Sequence, residues 1–167
     1  MRSADAVRLL RAELAQDLEL IRENYSKNRQ MTKRITAAAK DDEFDHAALG
    51  YTLHNLYNAF EAYFLRVAKF FENAVDDETW HMSLLDRMTL DIPETRPALL
   101  DRGTASSLHE LLRFRHVFRN LYQQQLIPER VRWVNETAAT LLDAFEPRHR
   151  RFDEFLDDLA HRLDGGA

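Results

Sequence analysis

The sequence predicts an all-α protein, an antiparallel bundle of five to six helices. Glycine and proline are scarce, at four residues each in a chain of 167, whereas an all-β domain needs turn residues about every ten positions. Apolar residues recur at intervals of three and four, as in amphipathic helices. Hydrophobic residues make up 45% of the chain, which excludes a disordered chain. This length suits one domain, which we place at residues 1–164, with a disordered tail at 165–167.

The composition excludes several classes of function. The chain has no cysteine, and this excludes disulfides, thiolate zinc sites and a cysteine nucleophile. The formal net charge is −5, so any contact with nucleic acid must come from a local basic patch. No stretch approaches the roughly 18 apolar residues of a membrane span, and the N-terminus has no apolar signal region. We therefore expect a cytoplasmic protein with no membrane partner.

The first helix has one apolar stripe, which begins at Val7 and reaches Tyr25. This helix should end within residues 37–40, because an acidic run follows at 41–43. Asp45 is the predicted N-cap of the next helix, since a short acidic side chain can accept a hydrogen bond from the first helical turn.

The second helix, predicted at 46–73, is apolar on most of its circumference and should therefore be the central helix. Glu61 lies within this apolar surface. A shorter amphipathic helix is predicted at 77–89. The prolines that follow break any helix, so 91–103 should be a loop.

The fourth helix is predicted to begin at an N-cap, either Thr104 or Ser106, and to end near Leu126. Pro128 suits the first turn of a fifth and long helix, because the proline ring needs no hydrogen-bonding partner there. Pro147 should kink this fifth helix or split it in two.

The fourth helix carries an arginine on its apolar face. At about 100° per residue, Arg115 falls in the middle of the apolar arc and Arg119 at its edge. A buried guanidinium is costly unless it is paired or opens to a cavity. Arg115 therefore either forms an ion pair with a carboxylate on another helix, with Glu61 as the candidate, or binds a phosphate through its planar guanidinium. The apolar arc consists of Leu108, Leu111, Leu112, Phe118 and Tyr122.

The run Arg-His-Val-Phe-Arg-Asn-Leu-Tyr at 115–122 resembles the Arg-x4-His-x-Tyr motif of HEPN-domain toxins, the HepT-like ribonucleases. The segment 50–61 resembles the second helix of that family, and residues 80–88 with Arg96-Pro97 resemble its short third helix and the following loop. The resemblance spans roughly residues 49–126. It implies a helical bundle that forms a homodimer, in which the motifs of both chains face a shared cleft.

The resemblance also implies cleavage of RNA without a metal or another cofactor. In that chemistry the motif arginine stabilises the phosphorane, and the motif histidine transfers a proton as a ribose 2′-hydroxyl attacks the adjacent phosphate. A nucleotidyltransferase antitoxin silences these toxins by adding AMP to the motif tyrosine. By position, Arg115 is the phosphate-binding residue and Tyr122 the modified residue. Glu61 is a candidate to orient Arg115, and Arg119 is a second supporting residue.

Asn120 occupies the position of the motif histidine, and an amide cannot transfer a proton near neutral pH. Three explanations fit: an engineered inactive variant, a natural pseudoenzyme, or a proton transfer performed by His116 one turn earlier. On the first two, the chain does not cut RNA. A second class of function is a non-catalytic HEPN-like module, which dimerises and binds a nucleotidyltransferase or RNA.

Glu-x-x-His occurs three times in the chain, and di-metal carboxylate bundles use this pattern in mid-helix positions. Here the first two pairs lie at predicted helix starts and the third flanks Pro147, so we predict no metal site. His54 and His81 are interpreted as surface or packing residues. The three pairs are Glu43/His46, Glu78/His81 and Glu146/His149.

Overall fold

A computed structural model of the chain describes residues 3–38, 42–72, 80–121 and 125–165. These residues form six α-helices, so the predicted all-α class is confirmed. No helix in these ranges is long and apolar enough to cross a membrane. The helices are α1 (Ala4–Ala37), α2 (Glu43–Glu72), α3 (Trp80–Met88), α4 (Arg102–Arg119), α5 (Pro128–Ala138) and α6 (Leu141–Gly165).

The central position of α2 agrees with its apolar circumference. This helix packs against α1, α3, α4 and α5, and its aromatic side chains also reach α6. Phe60, Tyr63 and Phe64 are fully buried around Phe145 of α6, at ring-centroid distances of 5.1–5.7 Å and with edge-to-face geometry. Such ring pairs add about 0.5–1.5 kcal/mol each beyond the burial of their area. They hold the middle of α2, including the segment around Glu61, against α6.

The first turn of α2 begins earlier than predicted. Asp42, rather than Asp45, supplies the oxygen that accepts the N–H of Phe44, at 2.8 Å. Asp45 lies inside the first helical turn, where its negative charge faces the positive end of the helix dipole. The prediction was wrong because the acidic run at 41–43 offers several capping side chains and the sequence does not rank them.

The start of α4 also differs from the prediction. Asp101 is the N-cap, and its Oδ1 accepts the backbone N–H of Thr104 at 2.7 Å. Thr104 and Ser106 are therefore within the helix, and neither is its cap. The loop predicted at 91–103 ends at Asp101, because that carboxylate already satisfies a first-turn N–H. This bond also lowers the pKa of Asp101, against the effect of burial.

The segment between α3 and α4 is organised around Arg96, whose side chain is fully buried. Its Nε donates to Glu72 at 3.0 Å, and its Nη atoms donate to the backbone carbonyls of Arg87, Leu90 and Pro97. A cation with this many acceptors ties a loop without regular structure to the end of α2.

The long C-terminal helix is divided at residues 139–140, so of the two alternatives predicted for Pro147, a kink or a split, the split was wrong. Pro147 lies inside α6. The Tyr25 hydroxyl of α1 donates to the carbonyl of Ala139, a partner that carbonyls near a helix end need. This break depends on a side chain of another helix, so the local sequence gives no signal for it.

Several predicted helix ends need correction or lie outside the description. α4 ends at Arg119 with Asn120 as its C-cap, so the predicted extension to Leu126 was wrong. Gly165 is the last residue of α6 rather than part of a disordered tail. The predicted start of α3 at Asp77, and residues 166–167, lie outside the described residues.

Candidate functional site

Helix α4, which carries the motif arginine, approaches α2 closely at a glycine. A Cβ atom placed on Gly50 of α2 would lie 2.8 Å from Phe118 Cε2 and 3.2 Å from Phe114 Cζ, both on α4. Any larger residue would force these rings apart. The close crossing brings the polar face of α2 within hydrogen-bonding distance of Arg115.

Arg115 points into the bundle and is 5% exposed. Its Nη1 lies 2.8 Å from Glu61 Oε1, and its Nη2 lies 2.9 Å from Glu61 Oε2, which is a bidentate ion pair. Nη1 also donates to Asn58 Oδ1 at 2.9 Å. The Tyr57 ring lies against the guanidinium at 4.7 Å from its centroid. The ion pair with Glu61, one of the two arrangements proposed from the sequence, is thus present.

This pair determines the electrostatics of the site. Removal of one member of a buried ion pair leaves the other charge uncompensated and costs about 3–5 kcal/mol. Burial, followed by the charge of Glu61, raises the pKa of the Tyr57 hydroxyl far above its ordinary value, so this phenol stays neutral. The positive charge of Arg115 is therefore compensated, and the Glu61 carboxylate occupies the two guanidinium nitrogens that a phosphate would bind.

Two polar residues of α2 that the sequence analysis did not assign to the site belong to it. Asn58 contacts Arg115 directly, and His54 Nε2 lies 3.0 Å from Asn58 Nδ2. The His54 ring packs on Phe118 at 5.7 Å between centroids. The spacing of 54, 58 and 61 places all three residues on one helical face, which is the signal that could have identified them.

The remaining motif residues lie at the end of α4. Asn120 is the C-cap, and its Nδ2 donates to the carbonyl of His116 at 2.9 Å, so the amide is engaged with its own helix. His116 and Arg119 are exposed. Tyr122 lies outside the described residues.

A groove of about 470 Å³ runs along the outer side of α4. Arg115 is one of its lining residues, together with basic and apolar side chains, while the guanidinium itself points inward to Glu61 and Asn58. Within the described residues, no group of three potential metal ligands lies close together. The groove is lined by His109, Leu112, Arg113, Arg115, His116, Val117 and Arg119.

The site is therefore divided into two parts. An inward part joins Arg115 to Glu61, Asn58 and His54, and an outward part presents His116 and Arg119 on the surface. Within the described residues, His54 is the imidazole connected to Arg115 by hydrogen bonds, through Asn58. Burial, with the positive charges of Arg115 and Arg119, lowers the pKa of His54, so its ring is neutral near pH 7.

Comparison with known proteins agrees with the resemblance carried by the motif. A family model described as HepT-like protein matches residues 48–156. The matched segment begins within α2 and ends within α6, so it contains the whole of the site described above. No curated protein and no solved structure matches the chain.

Proposed function

Because the chain belongs to the HepT-like protein family, we propose that it is the toxin component of a toxin–antitoxin pair and that it does not cut RNA in its present form. The active form of such a toxin is an endoribonuclease. There the 2′-oxygen forms a bond to phosphorus as the 5′-oxygen leaves. One residue accepts the 2′-hydroxyl proton, and the leaving oxygen gains a proton.

One observation carries this proposal. Asn120 stands at the position of the proton-transferring histidine, and its amide donates a hydrogen bond to the α4 backbone. An amide neither accepts nor releases a proton near neutral pH. Arg115, on the same helix, is the residue proposed to contact a phosphate, in exchange for the carboxylate of Glu61 that it now binds. The chain thus combines a phosphate-binding group with an inert residue at the acid–base position.

The partners follow from the same family. We propose that two copies of the chain form a homodimer and that RNA is held near Arg115. The antitoxin partner is a nucleotidyltransferase that adds AMP to Tyr122. The product is a phosphodiester that links the tyrosine oxygen to the adenosine of AMP, formed from ATP with release of pyrophosphate.

Incubation of the chain with such an antitoxin and labelled ATP should label Tyr122, and Tyr122→Phe should remove the label. Labelling of another residue would reject this assignment.

A non-catalytic HEPN-like module is the second candidate, and the Arg115–Glu61 pair favours it. A bidentate carboxylate already occupies the guanidinium fork, as in an interaction domain whose arginine serves only stability. On this alternative the chain dimerises and binds its partner without touching the RNA phosphate.

Cleavage of total cellular RNA separates these possibilities. We expect no cleavage by the chain itself and cleavage by Asn120→His, whereas the matched control Asn120→Gln should stay inactive. Cleavage by the unaltered chain that stops with His116→Ala would move the proton transfer to His116. Absence of cleavage by Asn120→His as well would favour the non-catalytic module.

A further inference from the structure

A row of hydrogen bonds on α2 connects an imidazole to the buried guanidinium. His54 Nε2 lies 3.0 Å from Asn58 Nδ2, and Asn58 Oδ1 lies 2.9 Å from Arg115 Nη1. Glu61 holds the other side of the same guanidinium. Four side chains therefore share one connected set of hydrogen bonds, which crosses from α2 to α4.

The directions of these bonds follow from the chemistry of each group. A guanidinium only donates, so Asn58 must present its carbonyl oxygen to Arg115 and its NH2 to His54. The NH2 group also donates, and His54 Nε2 must therefore be the acceptor without a proton. The neutral ring then carries its proton on Nδ1. The other tautomer would place two donors against each other, and so would the imidazolium.

The surroundings of His54 favour this state. Its ring is held against Phe118 at 5.7 Å. Arg115 and Arg119 lie on the α4 side, and their positive charges oppose a further cation. Nδ1 is buried and has no hydrogen-bond partner within the described part of the chain, so the bond at Nε2, rather than any bond at Nδ1, selects this tautomer. Packing of the imidazole on the Phe118 ring does not require the hydrogen bond to the Asn58 amide, which is itself bonded to Arg115.

We propose that His54 is a positioning residue for Arg115. As the Nδ1–H tautomer, it fixes the orientation of the Asn58 amide, and this amide holds, together with Glu61, the guanidinium that is proposed above to contact an RNA phosphodiester. The consequence for RNA rests on the proposed function, whereas the hydrogen-bonded row does not depend on it.

Two substitutions separate positioning from packing. His54→Gln offers an acceptor near the position of Nε2 but no ring, and His54→Phe offers a ring but no acceptor. A packing role predicts that His54→Phe is the better replacement. A positioning role predicts the opposite, because only glutamine can accept the Asn58 NH2. Asn58→Leu interrupts the row in the middle and should reproduce His54→Phe.

The first readout is the state of the protein without RNA. In a long-range proton–nitrogen NMR spectrum of the full chain, His54 should show a protonated Nδ1 and an unprotonated Nε2. The Arg115 guanidinium protons should exchange slowly in the unaltered chain and in His54→Gln, and faster in His54→Phe and Asn58→Leu. A proton on Nε2, or slow exchange in every folded variant, would overturn the proposal. If His54→Phe does not fold, judged by its helical circular dichroism, His54→Leu, which also lacks an acceptor for the Asn58 NH2, takes its place.

The second readout is binding of a single-stranded RNA oligonucleotide, measured by fluorescence anisotropy. His54→Gln should bind within about twofold of the unaltered chain, and His54→Phe should lose roughly tenfold, the effect of one weakened charge-assisted hydrogen bond. Equal loss in both variants would contradict positioning. If the unaltered chain binds no more tightly than Arg115→Ala, the proposed contact with RNA fails. The NMR result then still decides the role of His54.

Discussion

Two buried arginines of this chain have different kinds of partner. Arg96 donates to Glu72 and to three backbone carbonyls around the loop between α3 and α4. Arg115 donates through Nη1 and Nη2 to the side chains of Glu61 and Asn58 on α2. Both cations are compensated, so burial and pairing alone do not distinguish a structural arginine from a functional one.

The identity of the acceptors gives the distinction. Backbone carbonyls are fixed by the path of the chain, so Arg96 cannot release them unless the loop itself rearranges. Side-chain acceptors can be exchanged by rotation about their χ angles, so a phosphate can compete with Glu61 for Arg115. Arg115 also borders an open groove, whereas the Arg96 side chain has no exposed surface. We conclude that Arg96 maintains the fold, whereas the side-chain partners of Arg115 are compatible with the phosphate contact proposed above.

The largest expected effect is loss of stability at Arg96. Arg96→Leu removes the donor of three backbone carbonyls and one of the two arginines bound to Glu72, and should lower the free energy of unfolding by about 3–5 kcal/mol, measured by urea denaturation. Addition of Glu72→Leu should restore little, since the Arg96 bonds to the backbone carbonyls, worth about 0.5–1.5 kcal/mol each, are still absent and Arg87 loses its partner Glu72. Recovery of most of the stability in this double variant would show that the loop carbonyls find other partners.

The same experiment at Arg115 should give a different pattern. Arg115→Leu alone should cost about 3 kcal/mol, because Glu61 is left buried without its cation. Arg115→Leu combined with Glu61→Leu should return to within about 1 kcal/mol of the unaltered chain, as for other buried ion pairs replaced by apolar residues. If the two double variants behave alike, the proposed difference between the arginines is wrong.

A smaller effect is expected where α2 crosses α4. Gly50→Ala places a methyl group 2.8 Å from a Phe118 ring atom. Overpacking of this kind costs about 1–3 kcal/mol, and the gain in helix propensity offsets up to about 1 kcal/mol of it. Thermal denaturation should therefore show a net loss. Gly165→Ala is the matched control, because a Cβ there meets nothing within 4 Å and should not destabilise the protein.

The smallest effect is a dependence of stability on pH. Burial is the main cause that lowers the pKa of His54 and of His149 below the ordinary 6.5. The unfolded chain therefore binds more protons below that value, and the free energy of unfolding should fall as pH decreases from about 6.5 toward the lowered pKa values. Urea titrations at pH 7.5 and 5.5 test this. The change in the free energy of unfolding between these two pH values should be smaller in His54→Gln and in His149→Gln than in the unaltered chain. An unchanged difference in both variants would show that these two histidines do not cause the pH dependence.

Much of the architecture could be predicted because helix periodicity is local. The apolar residues of α1 and α2 define stripes within one segment of chain, so the helices and the central place of α2 follow from them. The Arg115–Glu61 pair could also be predicted from the sequence, since a cation and an anion each interrupt an apolar helical surface. The N-cap residues were harder to predict because neighbouring Asp, Thr and Ser residues can each cap the same helix start.

The amino-acid sequence alone is enough to establish the helical class, the family and the residue types of the motif, including the asparagine that cannot transfer a proton. These depend on composition and spacing along one segment. Packing of the helices determines which of its two predicted partners Arg115 takes, where the C-terminal helix divides, and the contacts that join His54 and Asn58 to Arg115. Each of these features depends on an atom contributed by another helix, as the Tyr25 hydroxyl is at Ala139. The Phe118 ring beside Gly50 is a further contact of this kind. Contacts between distant segments have no fixed spacing in sequence, and so they become visible only when the helices are packed.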